Sequence, residues 1–141
     1  MLASVLGRGE RRGGVGTETR SGMGGRNAAV GAYGERVAAR HLGAAGYELL
    51  DANWRSRHGE LDLVARDGSC LVVVEVKTRT SRRFGSPIEA ITPAKAGRLR
   101  RLAGEWLATH PPIGADSIRI DIVGVDLPAR GAAVVTHLRG V

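Results

Sequence analysis

The feature that most constrains the fold is a pair of apolar segments joined by a short polar turn. Residues 60–65 and 70–78 have the length and the aliphatic content of β-strands, and Arg66-Asp67-Gly68-Ser69 between them is typical of a tight hairpin. The second segment contains an unbroken apolar run from Leu71 to Val74, and such a run implies burial on both faces of the strand. The pattern therefore predicts two adjacent antiparallel strands, the second of them inside the core.

The other segments predict two helices and three further strands. An Ala-rich stretch ends at Gly46, a typical left-handed cap, and Thr92-Pro93 is typical of a helix N-cap followed by proline at the first helical position. The predicted elements are a helix at 27–45, strands at 47–55 (with an irregular middle), 60–65 and 70–78, a helix from 93 to about 109, and strands at 117–125 and 132–138. The order αβββαββ predicts an α/β fold.

Length and composition indicate one domain that does not span a membrane. The chain has 141 residues, enough for a single core of ordinary size, and its apolar runs are too short to cross a bilayer. Gly and Arg interrupt the N-terminal segment where a signal peptide would need an apolar stretch, so we expect a cytoplasmic protein. The single cysteine, Cys70, excludes an intrachain disulfide and argues against structural zinc.

The first 26 residues are predicted to form a disordered Gly- and Arg-rich arm, followed by one domain over 27–141. This arm has almost no periodic apolar pattern, so it lacks the buried surface that would offset the entropy of ordering. Two interpretations of it stay open. The arm contacts phosphates loosely, or translation begins at Met23 and the preceding residues are not made.

The charge favours a polyanionic partner. Lys and Arg number 21 against 14 Asp and Glu, a net charge of +7, and binding to nucleic acid would release counterions from its phosphates. The same charge is also compatible with an Arg-rich composition that serves solubility alone. We expect nucleic acid as the partner, with DNA favoured over RNA.

Charged residues in the hairpin indicate where chemistry takes place. Glu75 and Lys77 share one face of the second strand, and counting outward from the turn sets Asp62 near the level of Val73 or Glu75. Two carboxylates that converge repel each other unless a proton or a cation intervenes, and all-oxygen ligands suit Mg²⁺ or Mn²⁺. A lysine beside the bound water would activate it or stabilise a pentavalent phosphate. The alternative is that Glu75 and Lys77 are solvated or paired with each other where the strand leaves the core.

Two strings around these residues resemble a known superfamily. Gly59-Glu60-Leu61-Asp62-Leu63-Val64 and Val74-Glu75-Val76-Lys77-Thr78-Arg79 resemble the PD-(D/E)xK restriction-endonuclease-like superfamily, with Leu61 standing where its motif has proline. More narrowly, the chain resembles the small bacterial YraN-like family, which is related to archaeal Holliday junction resolvases. This resemblance spans about residues 31–138 and includes Gly34-Glu35, Asn53-Trp54-Arg55, Phe84-Gly85-x-Pro87-x-Glu89-Ala90 and Lys95.

The resemblance implies a restriction-endonuclease-like core, a central mixed β-sheet flanked by helices. It implies Asp62 and Glu75 as metal ligands, Lys77 as the residue that activates water and Glu35 as an auxiliary acid. Helical spacing independently sets Glu35 on the same face as Ala38, Ala39 and Leu42, so it points towards packed structure. The expected activity is Mg²⁺- or Mn²⁺-dependent hydrolysis of phosphodiester bonds, with branched DNA as one substrate class.

Basic residues near the site are candidates for binding the nucleic acid. Planar guanidinium groups suit phosphate, and the candidates are Arg79, Arg82, Arg83, Lys95 and Arg98. Cutting two strands would need two sites, so a homodimer is left open. Two alternatives to a nuclease also stay open: a nucleic-acid-binding protein without turnover, and an adaptor that binds a protein through residues 88–107.

Overall fold

A computed structural model describes residues 22–80 and 91–141, with side chains from residue 27 onward. Within these ranges the chain forms a five-stranded mixed sheet and two helices, which confirms the expected α/β class and the mixed sheet. The elements are α1 (Gly22–Ala44), β1 (Glu48–Ser56), β2 (Gly59–Asp67), β3 (Cys70–Arg79), α2 (Pro93–Ala108), β4 (Ser117–Asp126) and β5 (Val134–Leu138).

The sheet follows the order of the chain, β1-β2-β3-β4-β5. Every neighbouring pair is antiparallel except β3 and β4, which run parallel from Cys70 opposite Ser117 to Arg79 opposite Asp126. Parallel strands need a long crossover connection, and α2 lies in the connection between these two strands. Strand β3 is therefore central, with partners on both edges.

The two helices cover opposite faces of the sheet. Ala38, Ala39 and Leu42 of α1 belong to one buried cluster, and the second cluster contains the apolar face of α2: Leu99, Leu102, Ala103 and Trp106. Successive residues of β3 alternate between them, so Val72 and Val74 pack on the α1 side while Leu71 and Val73 pack on the α2 side. The predicted burial of β3 on both faces is confirmed.

The turns and caps follow the local sequence closely. Asp67 pairs with Cys70 across a two-residue turn in which Gly68 has φ +63°, a left-handed conformation that glycine adopts without strain. Thr92 caps α2 by accepting a hydrogen bond from the Lys95 N–H at 3.1 Å, and Pro93 is the first helical residue. Both local predictions are confirmed.

The start of α1 differs from the prediction. The helix begins at Gly22 instead of Asn27, so the predicted boundary of the arm at residue 26 falls inside it. Glycine lowers helix propensity by about 1 kcal/mol relative to alanine, but a helix already anchored by packing extends through such residues. The predicted disorder of the preceding 21 residues lies outside the described part of the chain. None of the described helices is long and apolar enough to cross a membrane.

Candidate active site

Strands β2 and β3 separate at the position of Asp62. Their paired register ends at Leu63 opposite Val74, and one step further along the same register brings Asp62 to the level of Glu75. There the Val76 N–H donates a 2.9 Å hydrogen bond to Asp62 Oδ2, so a side chain and not the β2 backbone satisfies this strand N–H. Of the two predicted registers, the one that sets Asp62 beside Glu75 is correct.

The local backbone explains how Asp62 reaches this position. Residues two apart on a regular strand share a face, yet Leu61 packs in the α2 cluster and Leu63 in the α1 cluster. The neighbouring strand changes face at the same level: Ala52 contacts the α1 cluster and Trp54 the α2 cluster. Between them Asn53 has φ +52°, a left-handed conformation that asparagine tolerates better than most residues. Asp62 therefore lies at a break in the alternation of two adjacent strands.

Four acidic side chains interact electrostatically around this break. Burial raises the pKa of Asp62 to about 7, with further increases from Glu75, Glu35 and Glu60, against a lowering by the Val76 hydrogen bond. Burial also raises the pKa of Glu35, and the charges of Glu60 and Glu75 add to this, whereas a hydrogen bond with Asn53 lowers it. The site concentrates negative charge where solvent is partly excluded.

Glu75 has a cationic partner from the helix opposite. The Lys95 ammonium donates to Glu75 Oε2 at 2.7 Å, and the Glu75 side chain is only 17% exposed. Lys95 lies in the first turn of α2, where the helix dipole disfavours a cation by about 0.3–1 kcal/mol, so its placement is not explained by helix stability. The sequence predicts Lys95 as a nucleic-acid-binding residue and gives no sign of its pairing with Glu75.

Lys77 stays exposed on β3. It lies two residues beyond Glu75, hence on the same side of a regular strand, and it forms no ion pair with any residue the structure describes. The alternative interpretation, in which Glu75 and Lys77 neutralise each other, is therefore not what the structure contains. The partner of Glu75 is Lys95.

Glu35 approaches from α1 through a close helix–strand contact. A Cβ added at Gly34 would lie 1.8 Å from Thr78 Oγ1, so only glycine lets the helix come this near to β3. A cleft of about 390 Å³ opens beside this contact. The residues that line it are Asn27, Val30, Gly31, Glu35, Val76, Thr78, Arg79 and Thr80.

The predicted phosphate-binding residues differ in how exposed their side chains are. Arg79 lies 3.3 Å from Asp126 (Nε to Oδ1) with its side chain 9% exposed, whereas Arg98 is exposed on α2 one turn after Lys95. Arg82 and Arg83 lie outside the described residues. Glu60, an acid near the predicted site, pairs with Arg55 at 3.2 Å on the rim.

The donor set is compatible with a hard divalent cation. Asp62 Oδ2 and Glu75 Oε2 accept the hydrogen bonds from Val76 and Lys95, and within the described residues no hydrogen bond reaches the second oxygen of either carboxylate. Among those residues no three His, Cys, Asp or Glu side chains are grouped closely enough to hold a metal together. Mg²⁺ commonly uses only one or two carboxylates, completing its shell with water and substrate phosphate, so a two-carboxylate site fits.

A second buried acid lies away from this site. Asp121 in β4 is fully buried, and its carboxylate accepts hydrogen bonds of 2.8–3.1 Å from Tyr47, Arg119, His137 and the Gly140 N–H. Burial acts to raise the pKa of Asp121, but these donors outweigh it and hold the pKa below the usual range. The network joins β4 and β5 to Tyr47, in the turn before β1, and to the Gly140 backbone, so it has the character of a structural element.

These features define a small mixed α/β domain with an acidic centre where two strands separate. The chain belongs to the family described as "Uncharacterised protein family UPF0102", which it matches over residues 34–125, so the narrower YraN-like resemblance is confirmed. The matched range contains Glu35, Asp62, Glu75, Lys77 and Lys95.

Several bacterial relatives carry the same family name. The chain is 59% identical over 113 residues to a UPF0102 protein of Kineococcus radiotolerans, covering 80% of this chain and 93% of the relative. It is 57% identical over 114 residues to one of Streptomyces coelicolor (80% and 88% covered). A relative in Mycolicibacterium vanbaalenii is 48% identical over 127 residues (90% and 98% covered).

Proposed function

We propose that this protein is a metal-dependent nuclease that hydrolyses phosphodiester bonds in nucleic acid, with DNA as the favoured substrate. The proposal includes a restriction-endonuclease-like core and a site of the PD-(D/E)xK type. One observation carries it: Asp62 is held at the level of Glu75 by the Val76 N–H, and its pKa is raised to about 7 by burial and neighbouring acids.

The energetics of the acid cluster support a cation at this site. A buried carboxylate surrounded by other acids favours its protonated form, and a bound divalent cation would instead stabilise the ionised form. The second carboxylate oxygens of Asp62 and Glu75 would hold Mg²⁺ or Mn²⁺, which would supply Lewis-acid stabilisation of the negative charge that develops on phosphate. Burial and the neighbouring acids disfavour the ionised form of Asp62 and so raise its pKa, and a bound cation would oppose this effect.

The other residues take roles that follow from their contacts. Lys95 holds the Glu75 carboxylate in position through the 2.7 Å ion pair. Lys77 is exposed beside Glu75 on the same strand, where its ammonium can orient water or contact a phosphate oxygen. Glu35, half-buried on α1, is available as the auxiliary acid on that side of the site. Arg98 adds an exposed positive charge one turn beyond Lys95.

The test is a cleavage assay with variants that change charge at nearly constant volume. Purified protein is incubated with linear, flapped, four-way and single-stranded substrates in Mg²⁺, Mn²⁺ or EDTA. Asp62→Asn and Glu75→Gln should each abolish metal-dependent cleavage, and Asp116→Asn, at an exposed acid outside the site, should not. Near wild-type rates for Asp62→Asn at saturating Mg²⁺ would overturn the proposal.

A nucleic-acid-binding protein without turnover is the second candidate. The observation that favours it is the Lys95–Glu75 ion pair, which already neutralises one of the two proposed ligands. Both candidates require affinity that falls with salt, because phosphate contacts release counterions. They separate in the assay above: a binding protein retains DNA affinity and shows no Mg²⁺-dependent cleavage on any of the substrates.

A further inference from the structure

The cleft between α1 and β3 is adjacent to the acidic site, and of its lining residues only Glu35 has a role in the proposed function. Asn27, Gly31 and Glu35 occur at helical spacing along one side of α1. On the other side, Val76 and Thr78 alternate along the end of β3, and Thr80 follows directly after the strand. Val76 connects the two regions directly, since its side chain lines the cleft while its N–H holds Asp62. We call this space the α1–β3 cleft.

The lining of the α1–β3 cleft suits a planar ring with polar edges. Val30 and Val76 supply apolar contact, and the Asn27 amide, the Glu35 carboxylate and the Thr78 hydroxyl supply hydrogen-bonding groups. A phosphate group is disfavoured here because the Glu35 carboxylate would repel it and because Arg79, the cation in the lining, already pairs with Asp126. An exocyclic amine of a nucleobase, in contrast, can donate to that carboxylate while the ring packs on the valines.

The size of the cleft favours an unpaired base over a base that is paired in a duplex. Its volume of about 390 Å³ falls at the lower end of small-molecule pockets, which span about 300–1,000 Å³. A base that remains stacked and paired in a duplex cannot enter such a space, whereas a single-stranded or extruded base can. Polar groups that read one base edge are typical of sites for unpaired nucleotides.

We infer that the α1–β3 cleft receives the base of an unpaired nucleotide whose phosphate lies at Asp62 and Glu75. This inference rests on the proposed nuclease function and narrows its substrate class to nucleic acid with an unpaired nucleotide at the cleavage position. It assigns Asn27 and Glu35 to recognition of the base edge, which for Glu35 would be in addition to its proposed role as auxiliary acid. It assigns Val30 and Val76 to contact with the faces of the base.

Glycine 31 permits a direct test, because it lines the cleft and an added Cβ there meets no atom within 4 Å. The first carbon of a new side chain therefore has room, and Gly31→Leu should extend into the cleft. Gly43 on the same helix is exposed, does not line the cleft and is equally open, so Gly43→Leu is the matched control. Both variants replace a helical glycine with leucine and gain similar helix propensity.

The measurement is the affinity for a short fluorescein-labelled single strand and for the blunt duplex of the same sequence, in Ca²⁺ so that binding is separated from cleavage. Gly31→Leu should weaken single-strand binding by about tenfold or more while duplex binding and the Gly43→Leu control stay unchanged. A fluorescent base analogue in the strand should be quenched by wild type and not by Gly31→Leu.

Four outcomes overturn the inference: no single-strand binding by wild type, equal single-strand affinity of the two variants, equal loss on single strand and duplex, or a melting temperature for Gly31→Leu well below that of Gly43→Leu. The last result would mean that the protein's own chain fills the cleft. Failure of the proposed function is a different result: wild type would show no Mg²⁺-dependent cleavage. The binding measurements in Ca²⁺ would still test whether the cleft receives a base.

Discussion

Lys95 Nζ lies 2.7 Å from Glu75 Oε2, so the cation that neutralises this strand acid comes from helix α2 and not from Lys77 on the same strand. The two lysines therefore differ in environment. The Lys95 side chain is 31% exposed and forms an ion pair with Glu75, whereas the Lys77 side chain is exposed. Each position gives a separate prediction, because one lysine holds a carboxylate and the other is available to a substrate.

Lys77→Met should slow the chemical step by about 100-fold or more, while DNA binding in Ca²⁺ changes only modestly. The physical reason is that an ammonium beside the reacting phosphate stabilises charge that is larger in the transition state than in the bound substrate. Single-turnover cleavage at saturating protein measures this directly. A rate within about threefold of wild type, under 1 kcal/mol of barrier, would exclude the catalytic role.

Lys95→Met should lower stability in EDTA and increase the stabilisation gained on adding Ca²⁺. Removing the ammonium leaves Glu75 facing Asp62 without compensation, at a cost of about 1 kcal/mol for a partly exposed pair, and it removes a positive charge that competes with a bound cation. Thermal melting with and without Ca²⁺ measures both effects. Lys95→Arg, which keeps the charge, should resemble wild type, and so should Arg98→Met at an exposed site on the same helix. A Ca²⁺-induced shift no larger than that of wild type would contradict the prediction.

Asp62→Asn should change how stability depends on pH. A carboxyl group with a raised folded-state pKa binds its proton more tightly when folded, so the free energy of unfolding of wild type falls as pH rises from 3.8 to about 7. At about 1.4 kcal/mol per pKa unit, the upper bound of this loss is about 4 kcal/mol.

Urea denaturation in EDTA at pH 5 and pH 8 checks this prediction. Wild type should be less stable at the higher pH, and Asp62→Asn should show a much smaller difference and exceed wild type at pH 8. Asp116→Asn, at an exposed acid, should retain the wild-type dependence. The prediction is wrong if Asp62→Asn and wild type lose the same stability between the two pH values.

Gly34→Ala should destabilise the protein by about 1–3 kcal/mol, because the new methyl group would overlap Thr78 and force α1 away from β3. The same change at Gly43, where a Cβ meets nothing within 4 Å, should instead stabilise the helix by up to about 1 kcal/mol. If the close contact exists, chemical denaturation should show a lower free energy of unfolding than wild type for Gly34→Ala and a higher one for Gly43→Ala. Adding Thr78→Ala to Gly34→Ala should restore part of the loss, since it removes Oγ1 and Cγ2.

The parts of the site that sequence could predict are those fixed by local rules. A two-residue turn at Gly68 sets the register of β2 and β3, and the two-residue period of a strand then brings Asp62 to Glu75. The cap at Thr92 is equally local. These features depend on residues within a few positions of one another.

The parts that sequence could not predict depend on the path of the chain through space. Lys95 reaches Glu75 only because α2 crosses over the sheet between the parallel strands β3 and β4. The two residues are 20 positions apart, and the sequence between them does not indicate the contact. The left-handed Asn53 and the change of face at Asp62 likewise arise from two strands bending together. The start of α1 differs from the prediction because helix propensity alone disfavours helical turns that are rich in glycine.

Asp121, like Glu75, is an acid in an apolar strand. The sequence pattern alone does not show whether Asp121 has a structural role or belongs to the site. Asp121→Asn should destabilise the protein by about 3 kcal/mol, because Arg119 and His137 lose their buried anionic partner. The pKa of Asp121 is lowered in the folded state, so its contribution is present above the unfolded value of 3.8 and is lost as pH falls through the lower folded value. Wild type should therefore lose stability below pH 3.8 more steeply than Asp121→Asn, the reverse of the Asp62 comparison. Cleavage per folded molecule should stay at the wild-type level at a temperature where both are folded. An Asp121→Asn variant as stable as wild type but impaired in cleavage would make this acid functional instead of structural.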